Sequence, residues 1–94
     1  MHLGCIHNVG CCQYYTGKYA NSEKWFNLAI RVAPGHQDSY IGSCMSSLKL
    51  GNFEEALATI TALNSHAEWT STSYKQEQAV FLQAICTRLL PSNV

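Results

Sequence analysis

The chain contains little charge and no cluster of charge. Only 13% of its 94 residues are charged, and six basic residues balance six acidic ones. Nucleic-acid-binding domains usually carry a stripe of basic residues, so no nucleic-acid partner is expected. A low charged fraction is also unusual for a free-standing soluble monomer, which favours contact with another protein surface.

Long apolar runs are missing as well. No run approaches the ~20 residues needed to cross a bilayer, so no membrane span is predicted. The first twelve residues lack Lys and Arg, whereas a secretory signal begins with a positive region. The predicted location is therefore cytoplasmic, where thiols stay reduced. The five cysteines are an odd number that cannot all pair internally, and we expect free thiols.

Proline occurs only twice, and both prolines follow a helical pattern. Apolar residues at helical spacing predict five helices, at about 3–16, 19–32, 38–50, 53–63 and 73–90. Residues 64–72 are polar and predict a connector, with Trp69 as a possible anchor. We expect the apolar positions of these helices to face the core, and they include Ile6, Cys12, Tyr15, Phe26, Val32, Leu50, Ile60, Phe81 and Leu89.

Two glycine turns repeat at a fixed distance. Gly17 and Gly51 are 34 residues apart, and each separates two predicted helices. Glycine accepts the left-handed conformation that ends many helices, so two antiparallel helix hairpins are expected. Other residues recur at the same spacing: Val9 with Ser43, Gly10 with Cys44, Ser22 with Ala56, Phe26 with Ile60, and Ala29 with Leu63. Such a period is typical of stacked helical repeats.

Two helix starts carry a capping-box pattern. Asn52 precedes the fourth helix with Glu55 three residues later, and Ser73 stands in the same relation to Gln76. In this motif the two side chains satisfy the first backbone amides of the helix. We therefore expect side-chain caps at both positions.

The two units resemble the tetratricopeptide repeat. The first unit supplies Ile6, Val9, Gly10, Gly17, Tyr19, Ser22, Phe26, Ala29 and Pro34, and the second supplies Tyr40, Ser43, Cys44, Gly51, Phe53, Ala56, Ile60 and Leu63. Gln13 and Ser47 replace the expected mid-helix aromatic, and Glu68 replaces the expected proline. The resemblance covers about residues 3–69. It implies an all-α fold in one domain, residues 1–94, with repeats at about 3–36 and 37–70 and a closing helix at about 73–90.

The resemblance also implies a partner-binding groove. The first helix of each repeat would line it, with the side chains of His7, Cys11, Tyr14, Asp38, Ile41, Met45, Leu48, Lys75, Ala79 and Leu82. Family members that hold a C-terminal carboxylate do so with Lys, Asn and Arg side chains. The matching positions here are occupied by His7, Cys11, Gly42, Thr72 and Gln76, so this carboxylate-binding set is absent. Because the groove is aromatic and aliphatic instead, the expected partner is an apolar helix or peptide. Packing of these side chains within the fold remains an equal alternative.

A second hypothesis is a structural subunit of a larger assembly. About three repeats are usually needed for a stable array, and the first helix has no capping residue before it. The chain would then belong to a longer array, or dimerise or dock through its first hairpin.

Metal binding and catalysis are less favoured. His7 and Cys11 are four residues apart on one helix face, but Cys5 and Cys12 do not join them there, and a structural zinc site needs four converging ligands. A Cys–His nucleophile needs a third group that orients the histidine, and the sequence suggests none. We expect no catalytic residue, no metal and no cofactor.

Overall fold

A computed structural model describes residues 3–65 and 73–89, with side chains from residue 81 onward in the second range. These residues form five α-helices: α1 (Leu3–Tyr15), α2 (Tyr19–Val32), α3 (Gln37–Leu50), α4 (Phe53–Asn64) and α5 (Ser73–Leu89). No strand occurs within the described ranges. The all-α prediction is confirmed. Trp69 and Pro91 lie outside the described residues.

Each helix packs against the next one along the chain. α1 pairs with α2 and α3 with α4, and the two hairpins join through α2 and α3. α5 packs on α4 and also touches α3, while α1 touches α3. The architecture is therefore a series of helical hairpins that follow one another in sequence order, as expected. The first helices of the two hairpins, α1 and α3, consequently lie side by side.

Both glycine turns have the same backbone hydrogen bonds. Gly17 has a φ of 81° and Gly51 a φ of 79°. The amide of Lys18 donates to the Gln13 carbonyl at 2.8 Å, and the amide of Asn52 donates to the Ser47 carbonyl at 2.9 Å. Each glycine amide also donates to the carbonyl three residues before it, at 3.1 Å. This is a Schellman motif repeated after 34 residues.

Most of the residues that recur at this spacing are buried at matching places, although Val9 is half-buried where Ser43 is buried. Ile6 is 1% exposed and Tyr40 8%, and the pairs Ser22 with Ala56, Phe26 with Ile60 and Ala29 with Leu63 are all 2% exposed or less. Gly10 and Cys44 are buried too. The repeated pattern therefore marks the inner face of both hairpins.

The aromatic ring of Phe26 lies between two glycines. A Cβ on Gly10 of α1 would come within 3.0 Å of this ring, and a Cβ on Gly42 of α3 within 2.6 Å. These are closer than ordinary carbon contacts. The two glycines therefore let α1 and α3 approach Phe26 from both sides.

Several apolar positions are exposed, contrary to expectation. Their exposed fractions are 83% for Tyr15, 51% for Val32, 39% for Leu50, 65% for Phe81 and 46% for Leu89. Four of the five stand in the last turn of their helix. Helical periodicity shows which face of a helix a residue lies on, but not whether a neighbouring helix covers the end of that face.

Cys12 is also exposed, although it was expected in the core. Its counterpart after 34 residues, Ser46, is fully buried. The difference follows from packing, because α3 lies between α2 and α4 whereas α1 pairs with α2 and only touches α3.

The predicted capping box at α4 is wrong. Asn52 occupies the N-cap position, but its side chain makes no capping hydrogen bond. Its backbone carbonyl accepts the first helical bond, from the amide of Ala56 at 3.0 Å. At the start of α5, Gln76 and the side chain of Ser73 lie outside the described side chains.

Candidate functional site

A cavity of about 130 Å³ lies between α1 and α3. Its lining residues are His7, Cys11, Tyr14, Tyr15, Phe26, Asp38, Ile41, Gly42 and Met45. Most of these side chains are apolar or aromatic, and several are partly or fully exposed. The cavity is therefore accessible from the surface and offers mainly apolar contacts.

Six of the expected groove residues meet in this cavity: His7, Cys11, Tyr14, Asp38, Ile41 and Met45. Asp38 contributes an acidic side chain to a lining that is otherwise mainly apolar. The antiparallel hairpins explain the meeting, because the first helix of each hairpin presents the same face to the same side. Met45 has a second role, since it also packs against the core.

Other expected groove residues lie elsewhere. Leu48 packs against the hydrophobic core. Leu82 is only 8% exposed and belongs to that core, beside Cys44 and Cys86, so α5 uses this side chain for packing. Lys75 and Ala79 lie outside the described side chains.

Three lining residues were missed by sequence reasoning. Phe26 reaches the cavity from α2, because Gly10 and Gly42 leave room for its ring. The signal for Gly42 was its small size at a helix crossing. Tyr15 was expected to face inward but borders the cavity with an exposed ring.

His7 is held by several neighbours. Its Nδ1 atom lies 3.3 Å from the Ser39 Oγ atom, and its Nε2 atom lies 3.6 Å from the Cys11 Sγ atom. The His7 ring also packs on the rings of Phe26 and His36, with centroid distances of 5.3 and 4.9 Å. Ser39, which is fully buried, therefore orients the histidine, a role for which the sequence suggested no residue.

Ser39 connects this histidine to a second one. The His36 Nδ1 atom lies 2.7 Å from the Ser39 Oγ atom. His36 immediately precedes α3, so a chain of polar contacts runs from the start of α3 to the cavity. A hydroxyl can donate to one ring nitrogen and accept from the other, which suits this bridging position.

The Cys11 thiol lies beside His7 and is half-buried. Burial raises the pKa of this thiol, and Cys12 and Asp38 raise it further. The thiolate is the nucleophilic form, so a raised pKa lowers its fraction near neutral pH.

A second group of polar residues joins the two hairpins. Ser43 donates to the Asn27 Oδ1 atom at 2.6 Å, and Ser47 donates to the Glu23 carboxylate. These residues pair because Asn27 and Glu23 are one turn apart on α2, facing serines four residues apart on α3. The α2–α3 contact therefore contains partly buried hydrogen bonds, which the apolar pattern did not reveal.

Within the part of the chain that the structure describes, no three His, Cys, Asp or Glu side chains come close enough to hold a metal ion. Cys5 and Cys12 are exposed. None of the described helices is both long and apolar enough for a membrane span.

No family model matches the chain, and a search of curated proteins found no match either.

Proposed function

We propose that the chain is a non-catalytic protein-interaction module, built like a tetratricopeptide array, that binds an apolar segment of a partner protein between α1 and α3. The single observation that carries this proposal is the surface-accessible cavity lined by aromatic and aliphatic side chains. The repeated turns and the matching buried positions support the family assignment. A cytoplasmic location belongs to the same proposal, because the described cysteines are free thiols.

The size of the cavity limits what it can hold. An apolar cavity of ~150 Å³ accommodates benzene, and this one measures about 130 Å³. It therefore suits one aromatic ring or one branched aliphatic side chain. A partner helix or extended peptide would insert this side chain and lay its remaining length along α1 and α3.

A displayed library of random peptides tests the proposal. The purified chain should select peptides that share one large apolar residue. Replacing Met45 with Glu should weaken their binding by ~10- to 100-fold, because burying an apolar side chain contributes ~1.5–3 kcal/mol. Cys11→Leu, which fills the cavity from α1, should weaken the same peptides. Both effects can be measured by fluorescence anisotropy.

A matched control is Val32→Glu, which places the same charge at an exposed apolar position on α2. It should leave the affinity unchanged. Circular dichroism checks that every variant keeps its helicity. If the selected peptides bind Met45→Glu and Cys11→Leu as tightly as the unaltered chain, the cavity is not the binding site.

A structural subunit of a larger assembly is the alternative. The observation in its favour is an exposed side of α1 that carries Cys5 and Cys12, seven residues apart, and so on one side of the helix. Light scattering across a concentration series, under reducing conditions, should then show a dimer that Cys12→Asp converts to monomer. A monomer at every concentration would contradict docking between copies through this hairpin.

A further inference from the structure

Two buried cysteines from distant parts of the sequence meet in the core. Cys44 of α3 and Cys86 of α5 are both 0% exposed, and their Sγ atoms lie 3.8 Å apart. They belong to the same hydrophobic cluster as Ile60 and Leu82. Neither residue lines the cavity between α1 and α3, so the chemistry of this pair is independent of the proposed function.

We propose that Cys44 and Cys86 form a covalent modification site, at which oxidation by a peroxide joins them in a disulfide. A disulfide bond is ~2.05 Å long, so the sulfur atoms must approach by less than 2 Å. A cysteine side chain rotates about a single bond before its sulfur, and small rotations on both helices close this gap. The other cysteines, Cys5, Cys11 and Cys12, are all in α1.

The reaction proceeds in two balanced steps. The Cys86 thiolate attacks one oxygen of hydrogen peroxide, the O–O bond breaks, and a sulfenic acid and hydroxide form. The hydroxide takes up the proton that the Cys86 thiol released and becomes the first water. The Cys44 thiol then attacks the Cys86 sulfur, the S–O bond breaks, and the second water leaves with the Cys44 proton. In total, two thiols lose two electrons and peroxide is reduced to two waters.

Burial controls when the reaction can occur. Desolvation raises the pKa of both thiols, and each sulfur lies beside the other. In the packed core the thiolate fraction is therefore small. The first step consequently depends on partial opening of α5, which contacts only α4 and α3 among the described helices. The second step occurs when α5 packs again.

The disulfide would fix α5 to the second hairpin. It closes a loop that includes α4 and the connector, and such cross-links restrict the unfolded chain. The reduced chain can release α5 from α3, whereas the oxidised chain cannot. Oxidation thus changes the opening of the last helix while leaving the α1–α3 cavity in place.

The test uses the full chain with Cys5, Cys11 and Cys12 changed to Ser, which removes competing thiols. After peroxide treatment, the protein is alkylated in denaturant and digested without reductant. Mass spectrometry should show a Cys44–Cys86 linked peptide and no alkylated cysteine. Hydrogen exchange of the α5 amides should slow by on the order of 10-fold or more, and reductant should reverse this.

Three results would overturn the proposal: alkylation of both thiols after peroxide treatment, oxidation of a single cysteine to a sulfinic acid, or a linkage that joins two chains. Any one of these contradicts an internal disulfide. Cys86→Ala in the same background is the control, and it should show neither the linked peptide nor slower exchange. The linked peptide is detected in the protein that keeps both cysteines, so this result does not depend on whether the Cys86→Ala control folds.

Discussion

The position of Phe26 between two glycines predicts unequal effects of alanine at those glycines. A Cβ at position 42 would lie 2.6 Å from the Phe26 Cε1 and Cζ atoms, and one at position 10 would lie 3.0 Å from Cδ1 and Cε1. Carbon atoms in contact are normally ~3.5–4.0 Å apart. The ring must therefore move roughly 1 Å for Gly42→Ala and about half as far for Gly10→Ala. Phe26 is 2% exposed and packs on His7, so it has little room to move.

The expected free-energy changes follow from two opposing effects. Overpacking a core costs ~1–3 kcal/mol, while Ala in a helix is about 1 kcal/mol more favourable than Gly. We expect Gly42→Ala to lower the free energy of unfolding by about 2 kcal/mol, and Gly10→Ala to change it by less than about 1 kcal/mol. Because both variants gain the same helix propensity, the difference between them isolates the contact with the ring.

Urea denaturation followed by far-ultraviolet circular dichroism measures both variants. Gly35→Ala is the control, because no atom lies within 4 Å of its added Cβ. A double-mutant cycle with Phe26→Leu should show that the smaller side chain relieves part of the Gly42→Ala loss, with a coupling of ~0.5–3 kcal/mol. If Gly10→Ala is as destabilising as Gly42→Ala, or more so, the ring is not confined as described.

Three further predictions concern the turns, the hairpin interface and the buried thiols. Gly17→Ala and Gly51→Ala should each lower the free energy of unfolding by about 1 kcal/mol, since both positions have positive φ, and clearly different losses in urea titrations would contradict equivalent turns. Glu23→Ala removes the acceptor of the buried Ser47 hydroxyl, so a loss of ~1–3 kcal/mol is expected, and thermal melts that match the unaltered chain would refute this. Desolvation by burial, with the neighbouring thiol, raises the pKa of Cys44 above its ordinary 9.0. The unfolded chain then releases this proton first, so the contribution of Cys44 to stability should be constant well below pH 9 and should fall as the pH rises above it. Cys44→Ala should reduce that fall, and an unchanged slope in urea midpoints would count against a protonated core thiol.

The hairpin turns could be predicted from sequence because their determinants are local. Glycine at the end of an apolar pattern is enough to specify a left-handed C′ residue, and both Gly17 and Gly51 adopt it. The capping box at Asn52 failed for the opposite reason. An asparagine side chain can form several alternative hydrogen bonds with nearby backbone groups. A sequence pattern does not show which of these hydrogen bonds is formed once α4 is packed.

Much of the candidate cavity was also predictable. The resemblance to the tetratricopeptide repeat implied His7, Cys11, Tyr14, Ile41 and Met45 as groove residues, and all five line the cavity. Leu82 did not follow, because whether α5 uses a side chain for packing or for a surface depends on how the helix sits on α3 and α4. The sequence has no signal for that rotation.

The sequence by itself determined the helices, their order, the two turns and much of the inner face of each hairpin, since all of these depend on residues close together along the chain. Only the tertiary structure decided which distant side chains meet. Ser39 bridging His7 and His36, and Cys44 beside Cys86, join residues on different helices or beyond a helix end. Their separation depends on how the helices cross, which is set by the packing of the whole core.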